Sequence, residues 1–139
     1  MKTDEPILEF CARWVRQRRR FAPGDSDCAL FCAQWVDQNN STNMTQRIGE
    51  AWGGARTVMR VMAEPGAFRR AIIGLVGEPT ANVGEERGGD VVLMLNYEEK
   101  ETLAIAGVGD FAYGLGPVGY AGVNRRDRVL AVWSLACLQ

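Results

Sequence analysis

Chemistry in this chain has to start from its cysteines, Cys11, Cys28, Cys32 and Cys137, because histidine is absent altogether. Histidine is the one side chain that titrates near neutrality without help from its surroundings. Its absence removes any Ser-His or Cys-His nucleophile pair within the chain. It also removes zinc sites built on imidazole. A general base would have to be an Asp, Glu, Lys or Tyr with a shifted pKa, and the candidates are Asp27, Asp90, Asp110 and Tyr113. The cysteines contain no C-x-x-C pair, and their spacing fits no pattern of four-thiolate or iron–sulfur ligation. Neither a cofactor nor a metal is expected. Cys28 and Cys32, four residues apart, share one helix face, where reduced and buried thiols are the expectation.

The elements that would position these residues follow from periodicity. Ile7, Leu8, Cys11, Trp14 and Val15 recur at helical spacing just after Pro6. Arg13, Arg16 and Arg20 lie on the opposite side, with Arg18 and Arg19 between them. That basic end reads either as a solvated face at a helix C-terminus or as a contact with an acidic partner. Residues 21–27 form a turn, and Ser26 or Asp27 would cap a second helix. Cys28, Phe31, Cys32, Trp35 and Val36 form the apolar stripe of that helix, which ends in the polar stretch 37–43. Further helical stretches lie around 46–51, 55–63 and 67–76.

The pattern changes after Pro79. Gly88-Gly89-Asp90 leads into a continuous apolar run, 91–95, of strand type. A charged hairpin tip follows at 96–101, then strand candidates at 103–108, 111–115, 120–123 and 129–135. Helices first and strands afterwards predict an α+β fold, with N-terminal helices packed on a small antiparallel sheet of four or five strands. Trp14, Phe31, Trp35, Val92, Ile105 and Trp133 are the expected core.

A length of 139 residues suits a single domain, 1–139. Hydrophobic residues make up 47% and charged residues 24%, which excludes a disordered tail. A net charge of −1 argues against nucleic acid as a partner, since phosphate binding draws on an excess of Lys and Arg. No apolar run approaches the ~20 residues that span a bilayer, and residues 1–6 contain no signal-peptide core. A cytoplasmically made protein that does not enter the membrane is therefore expected. Every basic residue except Lys2 and Lys100 is Arg. That bias suits interfaces, and a GC-rich genome produces it equally well.

The order of motifs is distinctive: a helix, then Gly24 and Asp27-Cys28 opening a second helix, then Gly89-Asp90-Val91-Val92-Leu93 and a hairpin. It resembles the NlpC-type papain-like peptidases, which cleave peptidoglycan stem peptides. In that family the Asp-Cys at a helix start supplies the nucleophile. The resemblance places Cys28 at that position, where a helix N-terminus lowers a thiol pKa and offers N–H groups to an oxyanion. The family's catalytic histidine would fall near Leu103, at the start of 103–110. Pro23 stands where the family has an aromatic residue. Cys28 thus carries over as a vestigial position, and no catalytic residue is expected.

A closer resemblance is to small phage and prophage proteins that look like degenerate relatives of these peptidases. Trp14, Asp27-Cys28 with Trp35, Gly89–Val92 and Ala131-Val132-Trp133 carry it, over roughly residues 5–135. It implies a structural component of a phage or phage-like tail tip or baseplate, a peptidase-like fold kept as an inactive assembly module. Other tail-tip and baseplate hub proteins would be its partners, in several symmetry-related copies, and the virion its location. Two alternatives stand beside it. One is a cysteine hydrolase acting on peptidoglycan peptides with a non-histidine base. The other is a small soluble binding module, which an open groove beside Cys28 would favour.

Overall fold

The computed structural model describes residues 1–17, 27–52, 55–116 and 119–139. Among the described residues five helices come first: α1 Glu5–Gln17, α2 Cys28–Asn40, α3 Met44–Trp52, α4 Ala55–Ala63 and α5 Ala67–Val76. Five strands follow: β1 Val91–Leu95, β2 Glu101–Ala106, β3 Phe111–Gly116, β4 Gly119–Asn124 and β5 Val129–Trp133. They form one antiparallel sheet in the order β4-β3-β2-β1-β5. The α+β expectation holds, and so does the strand count.

Four strands end differently from the sequence reading: β3 runs one residue further, to Gly116, β4 is one residue longer at each end, Gly119–Asn124, and β2 and β5 differ more. β2 begins at Glu101 and ends at Ala106, rather than spanning 103–108. Glu101 and Thr102 look like turn residues, but they pair with Leu95 and Met94. After Ala106 the chain turns toward β3, Gly107 N donating to the Phe111 carbonyl at 2.8 Å, and a Cβ at Gly107 would lie 2.8 Å from the Asp4 carboxylate, so the position takes glycine. β5 stops at Trp133, since Ser134 N donates to Thr80 Oγ1 at 2.8 Å and the chain turns into the 3₁₀ segment Leu135–Cys137.

Alternation along the strands divides the apolar residues between two faces. Val91, Leu93, Leu103, Ile105, Ala131 and Trp133 join the helices in the main core. Val92, Met94, Ala104, Ala106, Ala112 and Val132 form a second, smaller cluster. All six expected core residues are buried, but Val92 lies on the opposite sheet face from Ile105. At the centre of the main core, Phe10 and Trp14 of α1 meet Phe31 and Trp35 of α2. Their ring centroids are 5.1 to 6.4 Å apart. Arg13 adds a surface tie between these helices, donating to Gln38 Oε1 at 2.6 Å. Arg16 is exposed, and Arg18, Arg19 and Arg20 of the basic run lie outside the described residues.

The α2–α3 connection is held by Asp37. Its carboxylate accepts from Met44 N at 2.7 Å, from Thr45 N at 2.9 Å and from the Thr42 hydroxyl, so one side chain caps the next helix. Burial pushes the Asp37 carboxyl up, but the hydrogen bonds from Thr42 and from Met44–Thr45 outweigh it. The pKa falls below the usual aspartate value. A carboxyl depressed in the folded state contributes stability above its unfolded pKa of about 3.9, and that contribution is lost as pH falls through the folded value. Asp37→Asn should therefore lower the urea midpoint at pH 7 and should weaken the loss of stability below about pH 4. An acid profile parallel to that of the unsubstituted protein would refute this role.

Candidate functional site

The corner that would hold a nucleophile is built at the start of α2. Asp27 is its N-cap, in extended geometry, and its Oδ1 accepts from Leu30 N at 3.0 Å. That capping bond makes Cys28 the first helical residue. The helix then drives Cys28, Phe31, Cys32 and Trp35 into the core on one stripe. Gly24 and Ser26, part of the same sequence motif, lie outside the described residues.

Cys28 meets the sheet at β2. Its thiol lies beside the Leu103 backbone and the Thr102 side chain, and the residue is only 2% exposed. The residue beside the sulfur with a polar side chain is therefore Thr102, which the sequence reading passed over for its neighbour. Leu103 turns its own side chain into the main core, on the face shared with Cys32. A hydroxyl can donate to a sulfur, but it cannot take up a proton near neutral pH as an imidazole does.

Burial pushes the Cys28 thiol up, and the Leu103 backbone and Thr102 side chain only partly offset this. The neighbouring Asp27 carboxylate pushes in the same direction as burial. Cys32 is raised further, by burial and by its neighbours Cys28 and Cys11. Cys11 is pushed up to about 12, again by burial. The thiolate form, which is the nucleophile, is disfavoured at all three positions. Cys137 is the exposed thiol.

The other candidate bases are used elsewhere. Asp90 Oδ2 accepts from Arg87 N at 2.8 Å and its Oδ1 accepts from Leu135 N at 2.9 Å. It closes the turn before β1 and pins the C-terminal segment to it. Asp90 precedes Val91, whereas Thr102 pairs with Met94, so the two lie about 13 Å apart along the strand direction. Asp110 is exposed in the β2–β3 turn, at the far end of the sheet from Thr102. Tyr113 donates to Asp4 Oδ2 at 2.7 Å, while Asp4 Oδ1 accepts from Val108 N at 2.7 Å. Its phenol is pushed up to about 12, first by that hydrogen bond, then by burial and by the Asp4 charge. Of the four candidates only Asp27 adjoins Cys28, and its charge opposes formation of the thiolate.

The groove beside Cys28 is open. Ala104, Ala112, Gly114 and Ala121 fall on one face of three adjacent strands, where their short side chains leave a trough of about 420 Å³. Cys28 and Thr102 line it, and Tyr97 and Lys100 of the β1–β2 turn stand at its mouth. The signal for it was in the sequence, as alanine and glycine at alternate positions. Only the register, however, brings those positions side by side. Among the described residues no group of three or more His, Cys, Asp or Glu is placed to hold a metal ion. Nor is any helix among them long and apolar enough to cross a membrane.

Residues 7–135 match the model of a family described as Domain of unknown function (DUF6950). No match was found among curated proteins or among solved structures.

Proposed function

The chain belongs to the DUF6950 family, matched over residues 7–135, and we propose that it is a non-hydrolytic assembly module of a phage or phage-like tail tip or baseplate. The observation that carries the non-hydrolytic half is the state of Cys28. It stands at a helix start, where the sequence resemblance puts a papain-like nucleophile, yet it is buried, its pKa is raised, and its neighbours are Thr102 and Leu103 rather than an imidazole. The peptidase likeness and the tail role both rest on the resemblance of motif order. That order runs from Trp14 through Asp27-Cys28 and Gly89–Val92 to Trp133. Hub and baseplate proteins would be its partners and the virion its location.

The tail role is tested on particles. The chain should be found by mass spectrometry in purified virions or tails of the phage that encodes it, and deleting its gene should stop tail completion. Normal tails without the gene, or virions lacking the chain, would overturn the assignment. A complementing copy carrying Cys28→Ser should restore infection at the level of the unsubstituted gene. Failure of a folded serine variant would replace the structural reading with the enzymatic one.

The open groove favours a second reading, a soluble binding module. Its volume of about 420 Å³ falls within the ~300–1,000 Å³ of small-ligand pockets. Ala112→Trp would fill the trough from its floor. A binding role predicts loss of ligand capture in this variant, while a purely structural module would be affected only through folding.

A further inference from the structure

Two helices carry exposed faces of opposite charge. On α1, Glu5, Leu8 and Glu9 are exposed, with Ala12 half-buried one turn on. On α4, Arg56, Met59, Arg60 and Ala63 are exposed. Both sets follow the spacing i, i+3, i+4, i+7, which lines residues up on one side of a helix. No basic residue lies between Glu5 and Ala12, and α4 contains no acidic one.

Among the described residues none of these four charges has an ion-pair partner. Glu9 precedes Arg13 by four residues, the spacing of a helix ion pair, but Arg13 donates to Gln38 instead. Glu5 with Glu9, and Arg56 with Arg60, are like charges one turn apart. Each helix therefore holds a repulsion that an opposite charge relieves. An apolar side chain sits within each pair. Of the large apolar side chains exposed among the described residues, Leu8 at 39% and Met59 at 61% are the two carried by helices.

We propose that α1 of one copy docks on α4 of a second copy of this chain, Glu5 and Glu9 pairing with Arg56 and Arg60 around a contact between Leu8 and Met59. Charge complementarity and the shared spacing argue for this occupant, because the chain itself carries the matching face for each helix. The guanidinium forks of Arg56 and Arg60 suit carboxylates in bidentate pairs. Within one copy the two faces belong to different parts of the fold: α1 packs on α2 and β4, and α4 packs on α3 and α5. The contact is therefore heterologous. Each copy offers one face and receives the other, and copies join head to tail. A foreign acidic helix on α4 would leave the α1 face unpaired, whereas self-docking pairs both. Each stripe spans about 10 Å of helix, so the contact is of the small, transient class. The inference rests on these two faces alone and is independent of the tail assignment.

Sedimentation velocity on the purified full chain, at about 100 μM and low salt to suit a small interface, should show species heavier than the 15.3 kDa of one copy. Raising the salt to about 0.5 M should dissociate them, since exposed ion pairs are screened. The double variant Glu5→Arg with Glu9→Arg should be monomeric, and so should Arg56→Glu with Arg60→Glu. An equimolar mixture of the two should assemble again, because every reversed face then meets its opposite. A single chain carrying all four changes should assemble like the unsubstituted one. The four side chains are exposed, so the fold should persist, and circular dichroism checks it. Glu5 lies in the first turn of α1, where an acidic residue favours the helix. If its reversal unfolds the chain, Glu9→Arg and Arg60→Glu alone carry the same mixing test. A monomeric unsubstituted chain overturns the proposal. So do folded reversed variants that still assemble, or a mixture of them that stays monomeric.

Discussion

Trp35→Ala is expected to destabilise the fold by about 3–5 kcal/mol, the range for truncating a buried aromatic. The indole is fully buried on the inner stripe of α2, with its ring 5.4 Å from that of Phe10. It also does polar work: Nε1 donates to the Gly89 carbonyl at 2.8 Å. Gly89 has φ +98°, a conformation that favours glycine, and it opens the turn into Asp90 and β1. Truncation therefore leaves a cavity and strands a carbonyl whose donor is gone, a loss of about 1–3 kcal/mol by itself. Trp35→Phe separates the two effects, keeping most of the ring and removing the donor. The measurement is urea unfolding with the slope checked for constancy, since domains of this size have only about 5–15 kcal/mol to lose. A loss below about 1 kcal/mol for Trp35→Ala would show that the tryptophan does not anchor the two layers.

The second large effect is kinetic. Native Cys28 should react with iodoacetamide at least ~10³-fold more slowly than Cys137, because its reaction needs a local opening of about 4 kcal/mol or more. Its burial and its raised pKa act in the same direction: little thiolate forms, and what forms is out of reach. Peptide mapping after timed labelling at pH 7 and pH 8.5, with and without urea, reads the ratio directly. In urea the difference should collapse, because both thiols then meet solvent alike. Rapid labelling of native Cys28 with a midpoint below pH 8 would identify an activated nucleophile and would sink the non-hydrolytic reading. The same preparation should leave purified peptidoglycan uncut.

Much of the architecture was legible before any coordinates, and the reasons are local. The stripes through Trp14 and Cys28-Phe31-Trp35 repeat at helical spacing, and burial on one face is the only arrangement that hides them. Asp27 caps α2 because a short carboxylate at that position reaches the N–H three residues on, which needs no tertiary partner. The apolar run 91–95 is buried on both faces, so it reads as a central strand, and β1 does lie between β2 and β5. Removal of imidazole chemistry was decided by composition alone.

The site depended on contacts that no local pattern encodes. That Thr102 as well as Leu103 stands beside the Cys28 sulfur depends on where α2 meets β2 and on the register that pairs Thr102 with Met94, both long-range choices. Tyr113 ceased to be a candidate base through Asp4, a partner 109 residues away in sequence, and Asp90 through Leu135, 45 residues away. The groove exists because Ala104, Ala112, Gly114 and Ala121 of three strands fall side by side. Residue types and their periodicity therefore determined the elements, the buried faces and the chemistry that is excluded. Which side chains meet across the sheet was decided only by tertiary structure, because strand order and register are long-range choices that hydrogen-bonded pairing and core packing make together.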